Sequence, residues 1–227
     1  MNTTQKVIKY FALSFAIFLI VTIISGVILG VLGVATAGKL ISDNSSVSTK
    51  CGDEKELCLE VSLAISNLEI KKGDHLFVET KNEKVEVVQD DYKLVITERG
   101  RHLFERYHDR EVIVYIPEDT QFEKVGISGG AGNIYIESLY AKNLEMSLGV
   151  GKTEITSLET ENAKISTGIG GVSVGLKSEA KDYEIKASKG IGEISLNGKS
   201  IPDSTQGSGP KKVQISGGIG EVKITTR

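Results

Sequence analysis

The segment VGISGGAGNIYI, residues 125–136, decides the fold because its pattern recurs four more times before residue 227. The other copies are LEMSLGVGKTEI from Leu144, AKISTGIGGVSV from Ala163, IKASKGIGEISL from Ile185 and VQISGGIGEVKI from Val213. In each copy, alternating apolar residues lead to a Gly-x-Gly pair and then resume. Successive second glycines are 19, 19, 22 and 28 residues apart. A period near 20 residues is typical of stacked supersecondary units.

The paired glycines predict a sharp bend in the middle of every copy. Glycine tolerates the backbone angles that a sharp bend demands, and its missing side chain lets neighbouring units approach closely. Of the 25 glycines in the chain, 18 lie between Gly126 and Gly220. The predicted bend glycines are Gly130, Gly132, Gly149, Gly151, Gly168, Gly170, Gly190, Gly192, Gly218 and Gly220.

The apolar positions on either side of the bends predict the core of a stacked all-β domain. One unit, or rung, cannot bury its apolar side alone, so stacking has to supply the core. One predicted column contains Ile127, Met146, Ile165, Ala187 and Ile215, and a second contains Ile136, Ile155, Val174, Leu196 and Ile224. The fold class is therefore a β-solenoid-like repeat domain. A β-sandwich of repeated hairpins is the alternative, because periodicity alone does not determine how the strands connect.

The last rung ends at Ile224, close to the C-terminus, which predicts an open sheet end there. Open edges invite pairing with another chain unless charges protect them. Lys223 and Arg227 would provide that protection, and end-to-end stacking of molecules is the alternative.

The N-terminal region predicts a membrane anchor. Tyr10–Gly38 carries no charge over 29 residues, and about 20 apolar residues cross a bilayer. Lys6 and Lys9 place residues 1–9 in the cytoplasm by the positive-inside rule, so the remainder of the chain is extracytoplasmic. Cleavage after Ala37 is the alternative.

A small-residue face within the predicted anchor suggests a helix dimer. Gly26, Gly30 and Gly33 lie on a face that allows close helix–helix approach. The partners predicted from this region are the membrane itself and a second copy through the helix.

Residues 39–58 form a polar, Ser-rich stalk that contains Cys51 and Cys58, and the β-repeat domain occupies 59–227. Outside the membrane a disulfide between the two cysteines is permitted. Free thiols are the alternative, and no second Cys or His pair stands at metal-ligand spacing.

The composition argues against nucleic-acid binding, catalysis and cofactor binding. The net charge of −3 argues against nucleic acid as a partner, and 6% aromatic residues argue against a large stacking platform for sugars or bases. Gly149–Thr153 resembles the end of a phosphate-binding loop, but Met146 stands where that motif requires its first glycine. All three histidines precede the repeats. The chain is therefore expected to be no enzyme and to bind no metal or cofactor.

One segment departs from the pattern, because residues 99–110 contain four of the five arginines and two of the three histidines. Arginine presents a planar fork that suits phosphate or carboxylate groups. A contact site for an anionic polymer, a lipid headgroup or an acidic protein is one interpretation, and a solvated hairpin tip is the other. The candidate contact residues are Arg99, Arg101, His102, Arg106, His108 and Arg110.

An anchor, a polar stalk and Gly-x-Gly strand repeats together resemble the bacterial putative-adhesin family. Residues 128–134 and the four later glycine pairs carry this resemblance, which covers about 59–227. The family, a β-strand-repeat domain of unknown function, includes LiaG-like envelope-stress proteins. The resemblance implies a cell-envelope location. We expect a non-enzymatic scaffold or modulator in envelope-stress sensing, in contact with a membrane sensor protein. The alternative is an adhesin-like module for anionic cell-wall or surface polymers.

Overall fold

The computed structural model describes residues 56–99 and 110–227, and these form a β-solenoid-like domain. Its strands are β1 (Cys58–Leu63), β2 (Asn67–Lys72), β3 (Phe77–Thr80), β4 (Val85–Gln89), β5 (Lys93–Glu98), β6 (Glu111–Ile116), β7 (Phe122–Ala131), β8 (Ile134–Val150), β9 (Thr153–Glu159), β10 (Asn162–Ile169), β11 (Val172–Leu176), β12 (Tyr183–Ile191), β13 (Ile194–Leu196), β14 (Lys199–Ser200), β15 (Ser204–Gln206), β16 (Lys211–Ile219) and β17 (Val222–Thr225). A 3₁₀ turn, Ala180–Asp182, precedes β12.

The strands form two layers that share one apolar core. Sheet A has the order β4, β5, β1, β7, β8, β10, β16, β12, β15. Sheet B has the order β3, β6, β2, β8, β9, β11, β17, β13, β14. The long strand β8 joins the layers, because its first half lies in sheet B and its second half in sheet A.

Within each sheet the repeat strands pair in parallel, and only the outermost strands are antiparallel. The two strands of one repeat lie in different layers, so they do not form a hairpin. This arrangement supports the solenoid-like interpretation over the sandwich of hairpins.

Both predicted core columns form, although Leu196 in the second column is only half-buried. Ile127, Met146 and Ile165 stand in register and are buried, as are Ile136 and Ile155. These side chains alternate with outward-facing residues, as a period of two requires.

The spatial order of the rungs differs from their order in sequence, which corrects the predicted open end. The last rung, β16 and β17, is not terminal, because it lies between β10/β11 and β12/β13. The 28-residue interval before it contains β14 and β15, which cover the outer edges of β13 and β12. Lys223 therefore lies on an internal strand and does not protect an edge.

The N-terminal end shows the same arrangement. The first rung, β1 and β2, lies between β5/β6 and β7/β8, and the antiparallel strands β4 and β3 cover β5 and β6. Both ends of the solenoid are thus formed by short antiparallel strands.

The glycine pairs stack at the edge where the chain passes from sheet A to sheet B, which we call the bend edge. Gly151 has φ +142°, and a Cβ added there would lie 1.7 Å from the carbonyl oxygen of Gly132. The same clash recurs between Gly170 and Gly151 and between Gly220 and Gly170. The bend N–H groups continue the ladder, as Gly151 N–H donates to the Ile169 carbonyl at 2.9 Å.

The predicted anchor at 10–38, with Gly26, Gly30 and Gly33, lies outside the described residues. Within the described residues no helix has the length and apolar character needed to cross a membrane.

A bend glycine should therefore be far less replaceable than a glycine beside it. We expect Gly151→Ala to lower the free energy of unfolding by about 3 kcal/mol or more, through positive φ and a backbone clash. Gly171→Ala is the control, because its Cβ would meet only the Glu221 carbonyl, at 3.7 Å, and should cost less than about 1 kcal/mol. Urea denaturation measures both, and equal effects would contradict this account of the bend.

Candidate functional site

The Arg-rich segment lies in sequence between β5 and β6, and its two described ends, Arg99 and Arg110, are at the bend edge. Arg99 and Arg110 are exposed at its two ends, and the Arg99 guanidinium forms an ion pair with Glu86. Arg101, His102, Arg106 and His108 lie outside the described residues. The structure thus places the ends of this candidate contact site and leaves its role a prediction.

A buried carboxylate anchors the base of this segment. Glu98, the last residue of β5, is 8% exposed. Its Oε2 accepts hydrogen bonds from the backbone N–H groups of Ala64 (2.7 Å) and Ile65 (3.0 Å). Its Oε1 accepts from the Ser66 hydroxyl (2.8 Å) and the Asn82 amide (2.9 Å).

Glu98 takes the place of a neighbouring bend. In the next rung, the N–H of Ala131 donates to the Ala64 carbonyl at 2.9 Å. On the β5 side of Ala64 and Ile65 the chain enters the Arg-rich segment, and the Glu98 carboxylate accepts the bonds instead. Burial by itself raises the pKa of Glu98, but the hydrogen bonds from Ile65, Ser66, Ala64 and Asn82 outweigh it and hold that pKa below its ordinary value.

The outer face of sheet A carries an unbroken column of hydroxyl groups, which we call the serine ladder. It crosses seven adjacent strands in register, with at least part of every side chain accessible to solvent. In spatial order its members are Thr97, Ser62, Ser128, Ser147, Ser166, Ser216 and Ser188. Strand spacing puts these hydroxyls about 4.8 Å apart.

A shallow groove lies beside the serine ladder, and we call it the lysine groove. Its cations are Lys124, Lys164, Lys186 and Lys212, and its carboxylates are Glu145 and Glu184. Only Lys164 has an acidic partner, Glu145 at 3.8 Å; the other three ammonium groups make no ion pair within the described residues. The groove is therefore net positive on a chain whose net charge is −3.

The bend edge carries a second surface, the apolar ridge, made of the residues between paired glycines. Val150, Ile169, Ile219 and Ile191 are 50%, 51%, 48% and 68% exposed, and they stand in that spatial order. Glycines flank each one, so no neighbouring side chain in the bend shields it. Half of the large exposed apolar side chains in the described residues belong to this ridge.

The remaining candidate sites are the cysteine pair and possible metal ligands. Cys58 begins β1 and is buried. Cys51 lies outside the described residues, so the predicted disulfide between the two stays a prediction. Within the described ranges, no three His, Cys, Asp or Glu side chains come close enough to hold a metal ion.

A second groove lies on the edge opposite the bends. It contains Lys72 and Lys177, each of which forms an ion pair with a glutamate at 2.7 Å.

Sequence reasoning missed the serine ladder and the lysine groove, although the ladder left a signal. Serine occupies the same position in all five copies of the repeat. Ser62 and Thr97 could not be added without the register of β1 and β5.

Comparisons with known proteins address the family and the fold. A family model described as Toastrack DUF4097 matches residues 39–226. No curated protein matches the chain in sequence.

Two solved structures are similar to the chain. One is a putative cell adhesion protein from Clostridium sporogenes, with 20% identity, a TM-score of 0.56 and coverage of 76% of this chain and 93% of that one. The other is a putative adhesin from Bacteroides fragilis, with 12% identity, a TM-score of 0.41 and coverage of 75% and 93%. The Clostridium structure shows that the fold is shared.

The lowered pKa of Glu98 predicts acid-sensitive stability. Its carboxylate stabilises the fold at pH values above its ordinary pKa, and this contribution disappears as pH falls through the lowered value. We expect Glu98→Gln to reduce the free energy of unfolding by about 2 kcal/mol at pH 7, with a smaller difference from wild type in acid. Glu83→Gln, at an exposed position, is the control. Urea denaturation between pH 7 and 3 measures both, and a difference that stays constant over this range would contradict the assignment.

Proposed function

The chain belongs to the Toastrack DUF4097 family, and we propose that it is a non-enzymatic, membrane-anchored envelope protein that binds an extended anionic polymer. The observation that carries the proposal is the lysine groove beside the serine ladder on the outer face of sheet A. The protein would act as an adhesin-like module on the extracytoplasmic side of the membrane.

The geometry of sheet A suits an extended chain better than a compact ligand. The serine ladder runs across the strands as a line of hydroxyls, and a hydroxyl can both donate and accept a hydrogen bond. Ser128 and Ser166 already donate to the Val61 and Met146 carbonyls at 3.4 Å, which leaves their oxygens as acceptors. A polymer lying along it would meet one equivalent contact per strand, about every 4.8 Å. Within the groove, Lys164, Lys212 and Lys186 stand on three adjacent strands, so phosphate or carboxylate groups along the polymer would reach them in turn.

The Arg-rich segment supplies a second cationic feature for the same function. Arg99 is exposed at its beginning and Arg110 at its end. Arginine forks bind phosphate in bidentate fashion, whereas lysines act as point charges. We propose that the segment contributes a separate contact with the same class of anion.

The apolar ridge favours a second function, a scaffold or modulator in envelope-stress sensing. Four exposed branched side chains in one row are unsuited to an anionic polymer and suited to a protein surface. In this alternative the ridge contacts a membrane sensor protein.

The lysine groove can be tested with poly(glycerol phosphate) and the full-length protein in zwitterionic nanodiscs. A lysine at an anionic surface contributes about 1 kcal/mol, so K164Q/K186Q/K212Q should weaken binding about a hundredfold at low salt. The matched control K152Q/K177Q/K223Q removes the same charge from exposed lysines that sheet A does not carry. Equal losses of affinity in both triple variants would show that binding depends only on net charge. Unchanged affinity in both would reject the lysine groove as the binding site.

Replacing Arg99, Arg101, Arg106 and Arg110 with alanine tests the Arg-rich segment in the same assay. We expect an additional loss of affinity when this change is combined with the groove variant. Unchanged binding would remove the segment from the proposal.

The ridge can be tested by crosslinking in intact cells followed by mass spectrometry. We expect V150S/I169S/I219S to abolish capture of a membrane sensor protein and to leave poly(glycerol phosphate) binding intact. The control V150I/I169V/I219V keeps the apolar character and should retain capture. Capture that survives the serine variant would reject the ridge as the contact.

A further inference from the structure

Three polar side chains are buried together beneath the bend of the first rung. Ser66, Asn82 and Glu98 are only 4%, 7% and 8% exposed. Ser66 lies in the bend between β1 and β2, Asn82 in the turn between β3 and β4, and Glu98 at the end of β5. Besides accepting backbone hydrogen bonds, the Glu98 carboxylate therefore contacts a hydroxyl and a carboxamide, which are a nucleophile and an acyl group.

The hydroxyl of Ser66 has a base in position. Its Oγ donates to Glu98 Oε1 at 2.8 Å, within the range of about 2.6–3.2 Å over which a general base takes a proton. Although burial raises the pKa of Glu98, its hydrogen bonds outweigh that effect and hold the pKa below its ordinary value. The carboxyl group is therefore ionised at neutral pH and can accept the proton.

The amide of Asn82 is held against the same two groups. Its Nδ2 donates to Glu98 Oε1 at 2.9 Å and to Ser66 Oγ at 3.1 Å. Because an amide C–N bond is about 1.33 Å long, Cγ of Asn82 lies no more than about 4.4 Å from that Oγ. Rotation of the amide about its Cβ–Cγ bond would turn the face of its carbonyl toward the hydroxyl.

The carbonyl oxygen of this amide also has a donor. Asn82 Oδ1 accepts a hydrogen bond from the backbone N–H of Lys84 at 3.0 Å. A backbone donor at this distance stabilises the negative charge that develops on a carbonyl oxygen under nucleophilic attack. The cluster therefore contains a nucleophile, a base, a leaving group and an oxyanion donor.

Burial determines what the cluster can act on. A ligand from solvent cannot reach three side chains that are each more than nine-tenths covered. Within the described residues, Asn82 provides the one electrophilic side-chain acyl group that is hydrogen-bonded to the Ser66 hydroxyl. Exclusion of water also protects a reactive product from hydrolysis.

We propose that Ser66 and Asn82 become joined by an intramolecular ester. Oγ of Ser66 attacks Cγ of Asn82 while the hydroxyl proton passes to Glu98 Oε1. The Cγ–Nδ2 bond then breaks, and the proton held by Glu98 moves to the departing nitrogen, which leaves as ammonia. The carboxylate is regenerated, and no oxidant or further reactant is consumed. The reaction occurs once per chain and does not depend on the proposed polymer binding.

The ester would reinforce one end of the solenoid. The antiparallel strands β3 and β4 that form this end have only four and five residues. The turn between them carries Asn82, so the ester would tie that turn to the bend of the first rung. A covalent loop across β2 and β3 would persist when denaturant separates the strands.

Mass spectrometry of the full-length protein, denatured after purification, tests the ester. Apart from the substitution itself, we expect the wild-type chain to be lighter than S66A by one ammonia. Trypsin should release from the wild type one branched product that contains both Ser66 and Asn82. Mild hydroxylamine, which cleaves esters and spares amides, should separate this product into two peptides.

Three variants define what the reaction requires. S66A lacks the nucleophile and E98Q lacks the base, so both should retain the ammonia and yield two separate peptides, with folding checked by circular dichroism. S195A removes a half-buried hydroxyl from β13 and, as the matched control, should still form the branched product.

The wild type and S66A decide the proposal even if E98Q fails to fold. A wild-type chain that retains its ammonia would overturn the proposal, as would a loss of ammonia that persists in S66A. A loss confined to a single unbranched peptide would identify a succinimide at an asparagine and would also overturn it.

Discussion

Direct contact of backbone on backbone at the bend edge is the constraint on which the rest of the structure depends. The carbonyl oxygen of one bend lies where the next bend would place a Cβ, so the stack can close only with glycine at that position. This contact holds the rungs at strand spacing and keeps both sheets in register. The core columns and the serine ladder follow from that register, because each aligns one residue of every rung with its equivalent in the next.

The stacking of glycine bends ends at the first rung, where the Glu98 side chain takes the place of the next bend. The first rung bends at Ala64–Ser66 without glycine, and β5, its neighbour on the other side, ends at Glu98. The glycines of the next bend still press against this rung, since a Cβ on Gly130 would meet the Ala64 carbonyl at 2.5 Å. On the other side of Ala64 the described neighbour is the Glu98 side chain and not a glycine bend. The freed N–H groups there need an acceptor, and the Glu98 carboxylate provides it.

The two surfaces of functional interest arise from the same repetition. Any residue type repeated at one position becomes a continuous stripe once the rungs stack, whatever its chemistry. Serine repeated on the outer face of sheet A gives a polar track, and branched apolar residues repeated between glycines give the ridge. The proposed contacts with an extended partner therefore both rest on this repetition of one side chain along the stack.

The sequence alone determined the repeat, the bends and the core columns, because these depend on local alternation and on glycine within about 12 residues. The tertiary structure alone decided the order of the rungs in space. Insertion of β1/β2 and β16/β17 between other rungs depends on pairings between segments distant in the chain, such as Leu59 with Val125. The place of Glu98 beneath the Ala64–Ser66 bend and the entry of Thr97 into the serine ladder follow from that order. Local patterns carry no information about either, since the residues that meet there are more than 30 positions apart.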